Sequence, residues 1–357
     1  MTGRTQERID FGYAHRQLRV GNVLAVRVRV RSVAVNAGLG ALALALATLA
    51  LGFGDYPLSP GQVVDALFGG DGSANGMIVR EWRLPVAIAA VVFGALLGVG
   101  GAIFQSLTRN PLGSPDVIGF DTGAYTAVVV TVLLVGTTGY WSVAAAAIAG
   151  GLATAMLVYV LAYRRGVQGF RLIVVGIGVS AVLGSINAYL ITRANVFDAM
   201  TVGFWGAGSL SRVTWASLAP ALLLGLIILA AAAFLSPVLR QLELGDDAAR
   251  AQGVEVGRSR LALLVVGVAC TALVTAAAGP IGFIALAAAQ LARRVTRTPG
   301  VSVASAAFMG AALLSAAQSL SLAIAQLYRP VPVGLLTVCL GGLYLIWLLV
   351  RETRRTV

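Results

Sequence analysis

From Leu84 to Thr108 the chain runs 25 residues without a charged side chain, and similar stretches recur almost to its C-terminus. A helix needs about 20 apolar residues to cross a bilayer, and backbone in that setting must satisfy its own polar groups. Repeated runs of this kind restrict the chain to a bundle of spanning helices. Runs bounded by charge and turn residues predict spans over 32–53, 84–107, 121–136, 141–163, 170–192, 218–235, 261–278, 280–292, 301–325 and 333–350. Two of them, 121–136 and 280–292, are short for a full crossing. The expected architecture is an all-α polytopic membrane protein of about ten transmembrane helices. A basic arm over 1–31 precedes a transmembrane body over 32–350, and 351–357 form a short tail. The first run is long for a signal-sequence core and shows no convincing cleavage site, so it reads as a retained span.

Charge orients these spans. All 26 basic residues are arginine. With the N-terminus in the cytoplasm, 21 fall in cytoplasmic segments, including Arg4, Arg8, Arg164 and Arg165. Five lie outside: Arg80, Arg83, Arg193, Arg212 and Arg329. This bias fits ten spans with both termini cytoplasmic. The fourteen acids divide nine inside and five outside, so the whole net charge of +12 sits on the cytoplasmic face. It reports topology and does not call for nucleic acid. "VRVRVR", Val26 to Arg31, alternates like a strand and reads as a basic anchor beside the first span.

The same counts exclude chemistry. Without lysine there is no Walker A loop and no Schiff base. One histidine, His15, and two cysteines, Cys270 and Cys339, are too few for a Cys/His zinc site. No metal site and no bound cofactor are expected, and any ATP would be hydrolysed, with its Mg, on another chain. All fourteen acids fall in loops or at helix ends of this layout. Ion-coupled carriers usually need a carboxylate or histidine at depth, and no convincing internal repeat of the carrier kind is visible. An ion-coupled secondary transporter is the weaker alternative.

Three stretches carry local information. "QSLTRNPLGSP" breaks its run with Asn110, Pro111 and Pro115 after Gln105; the prolines disfavour helix at the residues before them. Asn110 and Ser114 can bond the freed backbone groups, which predicts a tight cytoplasmic turn. Between 241 and 260 lies the one sizeable mixed-charge cytoplasmic loop. There Gly245 stops one helix, Asp246 and Asp247 suit the start of the next, and Ala248, Ala249 and Ala251 offer a smooth face. Gly253 ends the turn. The fifth span places Ser180, Gly184 and Asn187 on one small, polar face. Such faces mostly pack helix on helix.

The stretch from Arg83 to Ala124, "RLPVAIAAVVFGALLGVGGAIFQSLTRNPLGSPDVIGFDTGA", resembles the FecCD-type, BtuC-like permease family. The pattern is carried by Arg83, Leu84 and Pro85; by Gly94, Ala95, Leu97, Gly101 and Gln105; by Asn110, Pro111, Leu112 and Pro115; and by Gly119, Gly123 and Ala124. "WGAGSLSRVTW", "LGDDAARAQGVEVGRSR", "AGPIGFIALAAAQLARR" and "RPVPVGLLTVCLGGLYLIWLL" follow in the family's order. Gly113 and Ile118 are mild departures from it, and Val86 stands where a second arginine is usual. Ala289 and Gln290 stand where proline and histidine are usual, which should leave that helix straighter.

The resemblance implies a type II ABC importer permease in the bacterial cytoplasmic membrane, carrying ferric siderophore, or alternatively cobalamin or haem. It implies two ATPase copies, a second and different FecCD-type permease, and an extracytoplasmic siderophore-binding protein. It implies an ATPase-coupling loop at Leu244, Gly245, Asp246, Asp247, Ala248, Ala249, Arg250, Gly253 and Val254. Arg83, Arg80 and Arg329 become candidates for docking the binding protein, and Ser180, Gly184 and Asn187 for lining the translocation path.

Overall fold

The computed structural model describes residues 15–20, 24–69, 73–163 and 169–356. Arg4, Arg8, Arg164 and Arg165 lie outside the described residues, as does most of the N-terminal arm. What is described of that arm is an antiparallel pair, β1 (His15–Val20) and β2 (Leu24–Arg29), with His15 opposite Arg29. Val26 to Arg29 of the alternating arginine stretch thus lie in a strand, and β2 leads directly into the first span, which begins at Val30.

Each of the ten apolar runs is a helix. They are α1 (Val30–Ala50), α4 (Leu84–Thr108), α5 (Phe120–Val130), α6 (Tyr140–Ala162), α7 (Gly169–Arg193), α9 (Trp215–Glu243), α11 (Val256–Ala278), α12 (Ile284–Thr296), α13 (Val303–Leu327) and α14 (Val333–Thr356). Among the described residues, seven helical segments are long and apolar enough to span a membrane. Short helices fill the connections: α2 (Pro60–Phe68), α3 (Ala74–Met77), α8 (Val196–Gly206) and α10 (Asp246–Ala251). A π-helical turn, Ile78–Arg83, joins α3 to α4, and another, Thr131–Val135, extends α5.

The two short runs are short for a reason. After α4 the chain turns back along the bundle, so that Pro115 packs near Gly100 and α5 starts inside the protein. Likewise α12 starts inside, at Phe283 (φ 69°), just after the Gly279–Pro280 break. These two starts are tied, because the Phe283 N–H donates to Asp116 Oδ2 at 2.9 Å. Asp121, in the first turn of α5, is at a helix end as the sequence implies, but that end is buried and accepts a bond from Thr275 Oγ1 at 3.0 Å.

α4 and α11 form the centre, with Phe93, Leu96, Leu97, Ile103 and Leu263 fully enclosed. Lipid is as apolar as these side chains, so helix association in a membrane depends on close packing rather than on leaving water. Glycines supply it. Gly94 and Gly98, one turn apart, lie against Gly310 and the Ala306 carbonyl of α13, and Gly101 lies against the Ala285 carbonyl of α12. A Cβ at any of the three would collide with backbone. By contrast, α1 and α7 are peripheral and expose most of their apolar surface.

Candidate functional site

At the cytoplasmic end, α4 stops at Arg109 in the left-handed region (φ 50°, ψ 34°). The turn then closes on itself: Asn110 N–H donates to the Gln105 carbonyl at 3.2 Å, Leu112 N–H to Asn110 Oδ1 at 2.9 Å, and Gly113 N–H to the Asn110 carbonyl at 3.0 Å. Asn110 therefore acts as the sequence suggests. Ser114 does not: its hydroxyl is buried without a hydrogen-bond partner, and only its backbone carbonyl, which accepts from Ile118 N–H, contributes. Gln105 lies within α4, where its carbonyl helps close the turn while its side chain does a different job.

The turn clasps the loop that follows α9. Arg109 Nη2 donates to the Leu242 carbonyl at 3.0 Å and pairs with Asp246 Oδ1 at 2.6 Å. Arg260 reaches the same carboxylate oxygen at 2.7 Å. Beside them Glu243 Oε1 accepts from Ser106 Oγ at 2.6 Å and from Val301 N–H at 3.2 Å. Sequence reasoning missed Ser106, Arg109 and Glu243. A signal existed: Arg109 is the lone arginine of its turn, and Glu243 is the carboxylate that closes α9.

α10 itself is bracketed by Gly245 (φ 116°) and Gly253 (φ 82°), conformations that exclude ordinary side chains. Its alanines do not share one outer face as the sequence suggests. Ala249 is fully buried in the central core, where Val254 also packs, and Ala248 is half-buried. A six-residue helix needs an anchor, and the side chain with least bulk can enter beneath it. What faces outward is Leu244, Asp247, Arg250, Ala251, Gln252 and Gly253, with Asp247 and Arg250 paired at 2.8 Å.

Deeper in, Gln105 Nε2 donates to the Leu286 carbonyl at 3.0 Å, and Gln290 Nε2 donates to Gln105 Oε1 at 2.6 Å. Both amides are buried. Gln290, a departure from the family pattern, is thus the partner of a residue that keeps the pattern. α12 runs unbroken across Ala289.

At the opposite end, the two arginines nearest α4 are engaged with the chain's own backbone. Arg83 donates to the Leu51 carbonyl at 2.8 Å and to the Tyr56 carbonyl at 2.5 Å. Arg80 donates to the Ala66 carbonyl at 2.7 Å and to the Gly69 carbonyl, while its own carbonyl accepts from Trp215 Nε1 at 2.8 Å. They fasten the 51–69 segment over the start of α4. Arg329 is exposed between α13 and α14. Nearby, Tyr140, Trp205 and Arg212 line a cavity of about 200 Å³ beneath α8, where burial lowers the Arg212 pKa.

The candidate path residues divide. Ser180 donates to the Gly176 carbonyl at 2.8 Å and sits where a side chain at Gly119 would clash, so it packs α7 on α5. Asn187 is buried, whereas Gly184 borders open space. The face α7 leaves open runs instead through Ile177, Ala181, Ser185, Ile186 and Tyr189. Ser180 faces inward because the re-entrant start of α5 approaches there.

Comparison with known proteins fits this arrangement. Residues 42–351 match the FecCD transport family. The chain is 48% identical over 304 residues to the ferric enterobactin transport system permease protein FepG of Escherichia coli, covering 85% of this chain and 91% of that one. It is 37% identical over 235 residues to FepD of the same organism, also a ferric enterobactin transport system permease protein, covering 65% and 70%. A solved structure described as a metal-chelate type ABC transporter in an inward-facing conformation superposes with a TM-score of 0.75 at 23% identity, covering 90% of this chain and 99% of that one. The chain belongs to the FecCD transport family and is a multi-pass permease of the bacterial cytoplasmic membrane, a transport subunit rather than an enzyme.

Proposed function

We propose that this chain is the permease subunit of an ATP-driven importer that passes a ferric siderophore from an extracytoplasmic binding protein into the cytoplasm. The observation that carries the reading is α10: a short, glycine-bracketed helix with an outward Leu244, held to α4 through Asp246 and Arg109. A rigid knob of this kind can pass the closure of an ATPase dimer to the spans. ATP and Mg are held by that partner, and no cofactor is assigned to this chain. Two ATPase copies serve two permeases. FepG and FepD are distinct permease proteins of one ferric enterobactin system, which supports a different FecCD-type chain as the second permease. The path between the two permeases is proposed to run along the open face of α7.

Purification in mild detergent from the native membrane tests the assembly. An ABC ATPase and a second FecCD-type permease are expected to co-elute, and proteoliposomes of that complex should take up ferric enterobactin only with ATP and the binding protein. Co-elution of the ATPase with this permease alone would overturn the heterodimer. Absence of any ATPase after gentle crosslinking would overturn the coupling role of α10.

A further inference from the structure

A groove of about 680 Å³ opens between the outward end of α1 and α2, a volume within the ~300–1,000 Å³ of sites that hold small ligands. Its walls include Leu49, Gly52 and Phe53 on one side and Val64, Leu67 and Phe68 on the other. No charged side chain lines it. Of its two polar members, Thr48 spends its hydroxyl on the Leu44 carbonyl at 2.8 Å, leaving Gln326 at the lip. A chelate or a peptide would find almost nothing to hydrogen-bond here. Hydrocarbon would.

The groove is built into the fold. α2 starts with a reciprocal cap between Ser59 and Gln62 and has Pro60 in its first turn. Its inner side chains, Val63 and Ala66, pack with Leu51, Leu58, Val79 and Ala87. Arg83 and Arg80 pin both ends of the segment that carries it. With α2 fixed at a distance from α1, the outer edge of α2 leaves Val64 55% and Phe68 85% exposed. The source of an occupant follows from continuity. Leu42 and Leu49, two turns apart on the peripheral face of α1, are exposed and lead to Phe53 at the groove. An exposed apolar stripe on a peripheral span suits lipid, so an acyl chain lying along it reaches the groove without leaving an apolar surface.

We propose that this groove binds one acyl chain of an outer-leaflet phospholipid, which fills the space between α1 and α2 and completes the outer rim of the permease. The inference depends on the membrane position of α1 and is independent of which substrate is carried.

The test uses the full permease complex in nanodiscs containing phospholipid spin-labelled near the chain end. Electron paramagnetic resonance is expected to show one immobilised chain per groove that exchanges more slowly than the lipid shell. Val64→Trp, which fills the groove, should remove that component, and Val64→Ser, which makes its wall smaller and polar, should speed its exchange several-fold. Leu42→Trp, on the same stripe but below the groove, should leave it intact. An immobilised component unchanged in both Val64 variants, or absent from the wild type, would overturn the proposal. So would its displacement on adding the binding protein, since the groove would then serve a protein contact.

Discussion

Gln290 of α12 and Gln105 of α4 form a buried amide pair at 2.6 Å, with Gln105 also holding the Leu286 carbonyl. It lies one turn beyond the point where Gly101 brings these two helices into backbone contact. Removing one partner of a buried hydrogen bond typically costs about 1–3 kcal/mol. Gln290→Leu should therefore lower the thermal unfolding temperature in detergent, while Gln290→His, which restores a donor, should retain most of it. Equal melting of wild type and Gln290→Leu would show that the pair contributes nothing.

The glycines of α4 and α7 should respond in opposite ways. Gly98→Ala pushes a methyl into the Ala306 carbonyl, and overpacking of this kind costs roughly 1–3 kcal/mol. Gly184→Ala meets nothing within 4 Å and gains up to about 1 kcal/mol of helix propensity. Monodisperse yield on size exclusion, compared across the two variants and wild type, checks both signs.

Asp246 and Asp247 are neighbours with different work. Asp246 bridges Arg109 and Arg260, and the Arg260 side chain is only 16% exposed. Asp247 is almost fully exposed and pairs with Arg250. Asp246→Asn should loosen α10 from α4, so that uptake by proteoliposomes falls several-fold while ATP turnover persists. Asp247→Asn should leave unfolding unchanged, because exposed pairs are worth about 0–1 kcal/mol. Parallel loss of uptake and ATP turnover in Asp246→Asn would argue against a coupling role.

Arg83 and Arg329 can be separated by experiment. Arg83→Lys replaces a planar donor that serves two carbonyls with a single ammonium. Limited proteolysis between residues 52 and 59 should then accelerate. Arg329→Glu should not affect that cleavage but should weaken stimulation of ATP hydrolysis by the binding protein, if exposed Arg329 meets an acidic partner surface. Unaltered cleavage of Arg83→Lys would leave the clasp without support.

The sequence by itself determined which ten apolar runs become helices, their orientation and the family. Each follows from near-neighbour information: apolar run length, the side on which arginines collect, and a long run of matched residues. It also located the turn at Asn110 and the glycine-bracketed loop after α9, because glycine, proline and asparagine act on backbone within a few residues of themselves. Only the tertiary structure decided which side of a helix faces what. Ala249 rather than Ala251 became the anchor of α10, and Ser180 turned inward because α5 starts inside the bundle. Arg80 and Arg83 folded onto backbone carbonyls 11 to 32 residues away. The pairing of Gln105 with Gln290 spans 185 residues. Helical periodicity fixes which residues share a face, but the neighbour that covers that face comes from distant chain, brought there by close packing at Gly94, Gly98 and Gly101.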